Sequence, residues 1–252
     1  MSAGSLSGKN ALITGGTRGI GRAISLALAN QGAHVFAIYA RDRKAAEAFE
    51  AEARGQGLKV DCLRADLTDE ALLKGAVTEL QTRAPKLDIL VHAAASGVHK
   101  AALELSQRHM KWTFDINLFA IHNLLRELSP QIPEGGRIIG ITSSGGTRVL
   151  PHYAAVGASK GALESLFRHY AVEFAPKGIA VNLVSPGMVM TDAVEAFPDS
   201  EARVARSIGE TPTGKLTTAD QIGALVAFLC SEAAGQIVGQ TIVMDGGRSV
   251  PS

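Results

Sequence analysis

The run Thr14-Gly15-Gly16-Thr17-Arg18-Gly19-Ile20-Gly21 has the composition and spacing of a phosphate cradle. Its glycines let backbone turn sharply and approach a pyrophosphate, while a helix opening directly after them would aim free N–H groups and a positive dipole end at the phosphates. The plainer alternative is a tight strand-to-helix connection. After the next apolar run come Tyr39-Ala40-Arg41, with no acid at 39 or 40 to accept from a free adenosine ribose. Arg41, together with Arg18, instead offers two guanidinium forks to a 2′-phosphate, which favours NADP(H) over NAD(H). Asp42 could reach the ribose instead. Asp66 either accepts from the adenine amine or caps a turn or the next helix.

These groups need a sheet to hold them. Short β-branched runs without strict alternation, separated by helix-like stretches, read as strands buried on both faces. The strands are expected at 11–14, 35–39, 60–64, 89–92, 137–142, 180–184 and 241–244, with helices beginning near Gly19, Arg43, Asp69, Gln107, Tyr153 and Asp220. That order predicts an α/β fold: one Rossmann-like, doubly wound parallel sheet of about seven strands with helices on both faces. A single domain over 1–252 is expected. The stretch 188–216, with Pro198, Gly209, Pro212 and Gly214, reads as a loop over a substrate.

Composition narrows the function classes. The 252 residues are 46% hydrophobic, enough for a sizeable core. Lys and Arg number 25 against 24 Asp and Glu, so bulk charge argues against nucleic-acid or membrane-surface partners. Cys62 and Cys230 have no CxxC partner and the seven histidines no HExxH spacing, which points to a reducing compartment and away from metal chemistry. The start lacks a signal-peptide core, and no apolar run approaches the ~20 residues of a membrane span. A cytoplasmic location is expected.

With TGGTRGIG at 14–21, Asp66, Asn117 within DIN, Ser143 within ITSS, Lys160, SPGMVMT at 185–191 and GQTIVMDGG at 239–247, the chain resembles the short-chain dehydrogenase/reductase family over essentially its whole length. The resemblance implies that Gly15, Thr17, Arg18, Gly19, Ile20, Gly21, Arg41, Asp66, Leu67, Ala93, Lys160, Pro186, Gly187, Val189 and Thr191 hold the cofactor. It also implies that Ser143, Tyr153, Lys160 and Asn117 serve the chemistry, with Ser144 an alternative to its neighbour and Asn117 alternatively a structural polar group. The Asn-Asn-Ala-Gly turn common in that family is here His92-Ala93-Ala94-Ala95, and His92 reads as a satisfied strand-end histidine rather than a base.

One departure is chemically informative. The family's usual motif is Tyr-x3-Lys, but four residues before Lys160 stands Val156, and the tyrosine is Tyr153, giving Tyr-x6-Lys. Moving the phenol three positions back shifts its origin by ~4.5 Å along a helix. Such an offset suits conjugate reduction, in which hydride adds to Cβ of an α,β-unsaturated thioester while charge collects on the carbonyl oxygen two carbons away. The motif, with Ala95-Ser96-Gly97-Val98, Trp112-Thr113, Ala196-Phe197-Pro198 and 239–249, resembles NADPH-dependent type III enoyl-acyl-carrier-protein reductases. That resemblance implies Tyr153 as oxyanion donor, Lys160 holding the nicotinamide ribose and lowering the tyrosine pKa, an acyl thioester on a carrier protein or coenzyme A, and a homotetramer. A 3-ketoacyl or other carbonyl reductase and a non-catalytic nucleotide-binding protein are the alternatives.

Overall fold

The computed structural model describes residues 4–191 and 200–250. Seven strands form one sheet: β1 (Asn10–Thr14), β2 (His34–Tyr39), β3 (Val60–Arg64), β4 (Ile89–His92), β5 (Arg137–Ile141), β6 (Ala180–Pro186) and β7 (Thr241–Met244). All pair in parallel, in the order β3-β2-β1-β4-β5-β6-β7. The helices are α1 (Gly19–Asn30), α2 (Arg43–Gly55), α3 (Glu70–Arg83), α4 (Gln107–Phe114), α5 (Ala120–Leu128), α6 (Ala154–Phe174), α7 (Ser200–Gly209) and α8 (Ala219–Leu229).

Side chains alternate across the sheet and divide the core in two. Leu12, Phe36, Leu90, Ile138 and Val181 face α3, α5 and α6, whose Leu80, Leu124 and Phe167 close that layer. Ile13, Val35, Val91 and Ile139 face the other way, onto Leu28 of α1, Phe49 of α2 and Val226 of α8. Each such side chain contributes roughly 1.5–3 kcal/mol by leaving water. Caps set the helix starts: Asp42 accepts from Ala45 N–H, Asp69 from Ala71 and Leu72 N–H, and Thr218 forms a capping box with Gln221. Asp69 and Thr218 therefore precede their helices. β6 runs on to Pro186, whereas β5 stops at Ile141 and leaves Thr142 beyond the strand.

Two features differ from expectation. The segment 188–216 is not a loop throughout, because α7 occupies 200–209; the Ala196-Phe197-Pro198 segment and Val194 lie outside the described residues. A π-helical turn, Asp115–Phe119, separates α4 from α5, and its extra residue re-aims Asn117 inward. Among the described residues no helix is long and apolar enough to cross a membrane.

Candidate active site

β1 and β4 are neighbours although they are not consecutive, so the sheet order reverses between them and a crevice opens at their carboxyl ends. Gly15 occupies the left-handed region at φ 66°, and a Cβ on Gly21 would overlap the Gly15 carbonyl oxygen, so the turn closes only with glycine there. Arg18 takes the N-cap position of α1 without a side-chain cap, leaving the first N–H groups for an anion. Arg18 and Arg41 are exposed, Thr17 is buried, and Ile20 packs into the core beneath the turn. This uncapped, glycine-closed cradle fits a dinucleotide.

The other residues expected at a cofactor occupy the following places in the fold. Asp42 accepts Ala45 N–H at 2.9 Å as the cap of α2. Asp66 accepts Thr68 N–H at 3.0 Å and the Thr68 hydroxyl at 2.7 Å, which hold its carboxyl below the usual range, with Arg41 adding a smaller pull. Asp66 thus caps a turn, with Leu67 beside it half-buried against the core. Ala93 also packs against the core. Across the crevice, Pro186 ends β6, Gly187 N–H donates to Met244 O, Val189 is buried, and the Thr191 methyl lies 3.4 Å from where a Gly19 Cβ would sit.

On the other side of the crevice the groups are buried. Tyr153 is the N-cap of α6, with φ −112° and ψ 11°, following His152 at φ 57° in the left-handed region. The Tyr153 carbonyl accepts Gly157 N–H at 2.7 Å, the first hydrogen bond of the helix. Val156, in its first turn, is buried against Gly97, where a Cβ would collide with the valine Cγ2, and Thr113 closes the same spot. The position four before Lys160 is therefore a packing position. Tyr153 lies instead over Gly145, whose Cβ would be 2.5 Å from the ring, with His99 against its other surroundings at 5.5 Å between ring centroids.

Burial pushes the Tyr153 phenol up, opposed by a hydrogen bond with the Ser143 side chain. Ser143 rather than Ser144 is the hydroxyl that meets the phenol; it also accepts Gly145 N–H at 3.2 Å. Lys160 is 4% exposed, donates to Ile141 O at 2.7 Å, and is pulled down to about 8 by burial. A cavity of about 600 Å³ adjoins Tyr153, with Ala102, Leu150 and Pro151 in its walls and Lys100, Arg148 and His152 as its basic groups.

Asn117 is fully buried, its Oδ1 accepting Ser96 N–H and its Nδ2 donating to Ser159 Oγ, each at 2.9 Å. The side chain joins the β4 turn to α6. His92 Nδ1 lies 2.9 Å from Thr14 Oγ1 and Nε2 lies 3.3 Å from Asn117 O. Because a carbonyl only accepts, Nε2 carries the proton and Thr14 donates to Nδ1. Burial pulls His92 down to about 3, so it is neutral and structural. Sequence reasoning missed Glu164, buried one turn beyond Lys160, whose one signal was an acid four residues after that lysine on the same helix.

A family model described as enoyl-(acyl carrier protein) reductase matches residues 15–249. A 1-cyclohexenylcarbonyl-CoA reductase of Streptomyces collinus is 34% identical over 241 residues, covering 95% of this chain and 86% of the relative. A 3-oxoacyl-acyl-carrier-protein reductase of Staphylococcus aureus is 32% identical over 243 residues, covering 95% and 97%. Among solved structures, a short-chain dehydrogenase of Burkholderia cenocepacia in complex with NADP is similar with a TM-score of 0.87 and 32% identity, over 97% of this chain and 99% of that one.

Proposed function

Because the chain belongs to the short-chain dehydrogenase/reductase family and is an oxidoreductase of that family, we propose that it reduces the carbon–carbon double bond of an enoyl thioester with NADPH. The observation that carries this reading is the exchange at the start of α6. Val156 fills the packing site under Gly97, and the phenol sits at the N-cap over Gly145. That displacement supplies the separation between hydride acceptor and oxyanion that conjugate reduction requires.

NADPH, when bound, supplies the hydride. Arg18 and Arg41 recognise its 2′-phosphate, the 15–21 turn and the start of α1 take the pyrophosphate, and Lys160 holds the nicotinamide ribose hydroxyls. Tyr153, kept protonated by its burial, donates to the carbonyl oxygen as it becomes an enolate, with Ser143 supporting the phenol. The cavity beside Tyr153 receives the acyl thioester. Exposed Phe119 of the π-turn and exposed Val172 of α6 are apolar side chains that a homotetramer would cover. A single cytoplasmic domain acting on a carrier-protein or coenzyme A thioester completes the reading.

Reduction of a 3-ketoacyl thioester is the second reading, favoured by the S. aureus relative. Loss of NADPH absorbance with crotonyl-CoA and, separately, acetoacetyl-CoA separates the two. Faster turnover of the crotonyl substrate is expected; turnover of acetoacetyl-CoA alone would pass the assignment to the second reading.

A further inference from the structure

The turn that carries Ser143 rests on α6 through an unusual set of contacts. A Cβ on Gly157 would lie 2.5 Å from Gly145 O, and one on Gly161 would lie 3.0 Å from Gly146 O, so helix and turn meet backbone to backbone. One turn beyond Lys160, Glu164 continues this contact. It is 7% exposed, and its Oε1 accepts the hydroxyl of Thr142, the residue before Ser143, at 2.7 Å. A Cβ on Gly146 would lie 2.8 Å from the same oxygen, so the glycine leaves the room that the carboxylate occupies. One buried acid thus touches the Ser143 turn while sharing a helix face with Lys160.

Accepting the catalytic roles given to Ser143, Tyr153 and Lys160 above, we propose that Glu164 is a positioning residue of the reaction. Its carboxylate anchors the Ser143 turn to α6 and supplies the counter-charge that keeps Lys160 an ammonium.

A buried carboxylate is costly unless it is hydrogen-bonded and near a cation. Thr142 provides the hydrogen bond and Lys160 the cation. Reciprocally, burial lowers the Lys160 pKa and Glu164 opposes that fall. The other groups around Lys160 do not substitute for it. His92, from β4, is neutral at working pH, and the Ile141 carbonyl of β5 carries only a dipole. Tyr153, at the start of the helix, stays protonated. Arg168, one turn past Glu164, is exposed.

The sign of the effect follows. Without the carboxylate the Lys160 pKa falls below its present value of about 8, so the ammonium is lost at lower pH. Glu164→Gln retains an acceptor for Thr142 and removes only the charge. The alkaline limbs of kcat/KM and of NADPH affinity, followed by cofactor fluorescence, are expected to move down by about one pH unit, the scale of a neighbouring opposite charge. Rates below neutral pH stay near the parent's, and Glu164→Asp restores part of the limb.

An unmoved limb, or an equal loss at every pH, would overturn the proposal and leave Glu164 a packing residue. If E164Q does not fold, Thr142→Val carries the test. It frees the carboxylate from its anchor but keeps its charge, so kcat should fall several-fold with the limb in place, and an unchanged kcat would overturn the anchoring role. The binding titration needs no turnover. A protein that reduces neither thioester would therefore refute the enoyl-reductase reading while the Glu164 result stood on its own.

Discussion

The two sides of the crevice are built on opposite principles. The side formed after β1 and β2 uses backbone shape and exposed charge: a glycine-closed turn, an uncapped helix start, and Arg18 and Arg41 in solvent. The side formed by α6 and the ends of β4 and β5 uses buried polar groups with assigned partners: Asn117, His92, Lys160 and Glu164. Exposed charges act through screened interactions and can be exchanged at modest cost. Buried groups act through desolvation, so their protonation is part of the design. On the proposed reading, the choice between NADPH and NADH is thereby separable from the chemistry, although Lys160 serves both binding and reaction.

The sharpest attack on that division is Tyr153→Phe. It should lower kcat roughly 10²–10³-fold, the cost of one oxyanion donor, and leave NADPH affinity intact; a parallel loss of affinity in a fluorescence titration would break the division. Gly21→Ala should weaken NADPH and NADH alike by roughly 10–100-fold, corresponding to about 1–3 kcal/mol of overpacking against Gly15. Arg41→Ala should cost NADPH roughly tenfold and NADH almost nothing, the lower end of a charge-assisted contact because the side chain is exposed. Added salt should shrink that difference. Equal losses for both cofactors would remove Arg41 from phosphate recognition.

The smallest effect at neutral pH belongs to His92. Its pKa drops from 6.5 to about 3 on folding, so between these values the unfolded chain binds a proton that the folded chain does not. Stability is complete above the unfolded value and falls with pH below it, by up to about 1.4 kcal/mol per pH unit. Denaturant titrations across this window should show the slope in the parent and lose much of it in His92→Gln.

Much of the crevice was legible because its determinants are local. The strands follow from apolar runs, and the 15–21 turn from glycines that answer to neighbouring backbone. The β1 and β6 boundaries moved by one or two residues because sheet pairing, not propensity, decides where a strand ends. The start of α6 was less legible: whether Tyr153 is the first helical residue or the cap depends on His152 adopting a left-handed backbone and on Gly97 receiving Val156, both tertiary matters. The π-turn at 115–119 has no pattern of its own, and α7 was hidden in a stretch punctuated by prolines and glycines. Glu164 was passed over because a lone acid in a helix is ordinarily a solvated one.

The backbone contact between α6 and the Ser144–Gly146 turn also bears on how evenly α6 is held. Gly157 and Gly161 each cost about 1 kcal/mol of helix propensity relative to alanine, and both lie in the half of α6 that carries Lys160. That half has low intrinsic helix propensity and is held in the helix by its backbone contact with the turn. The second half, with Phe167, Tyr170 and Phe174 in the core, is held by hydrophobic burial. Hydrogen exchange should therefore show the Lys160 half of α6 opening more readily than the half buried in the core.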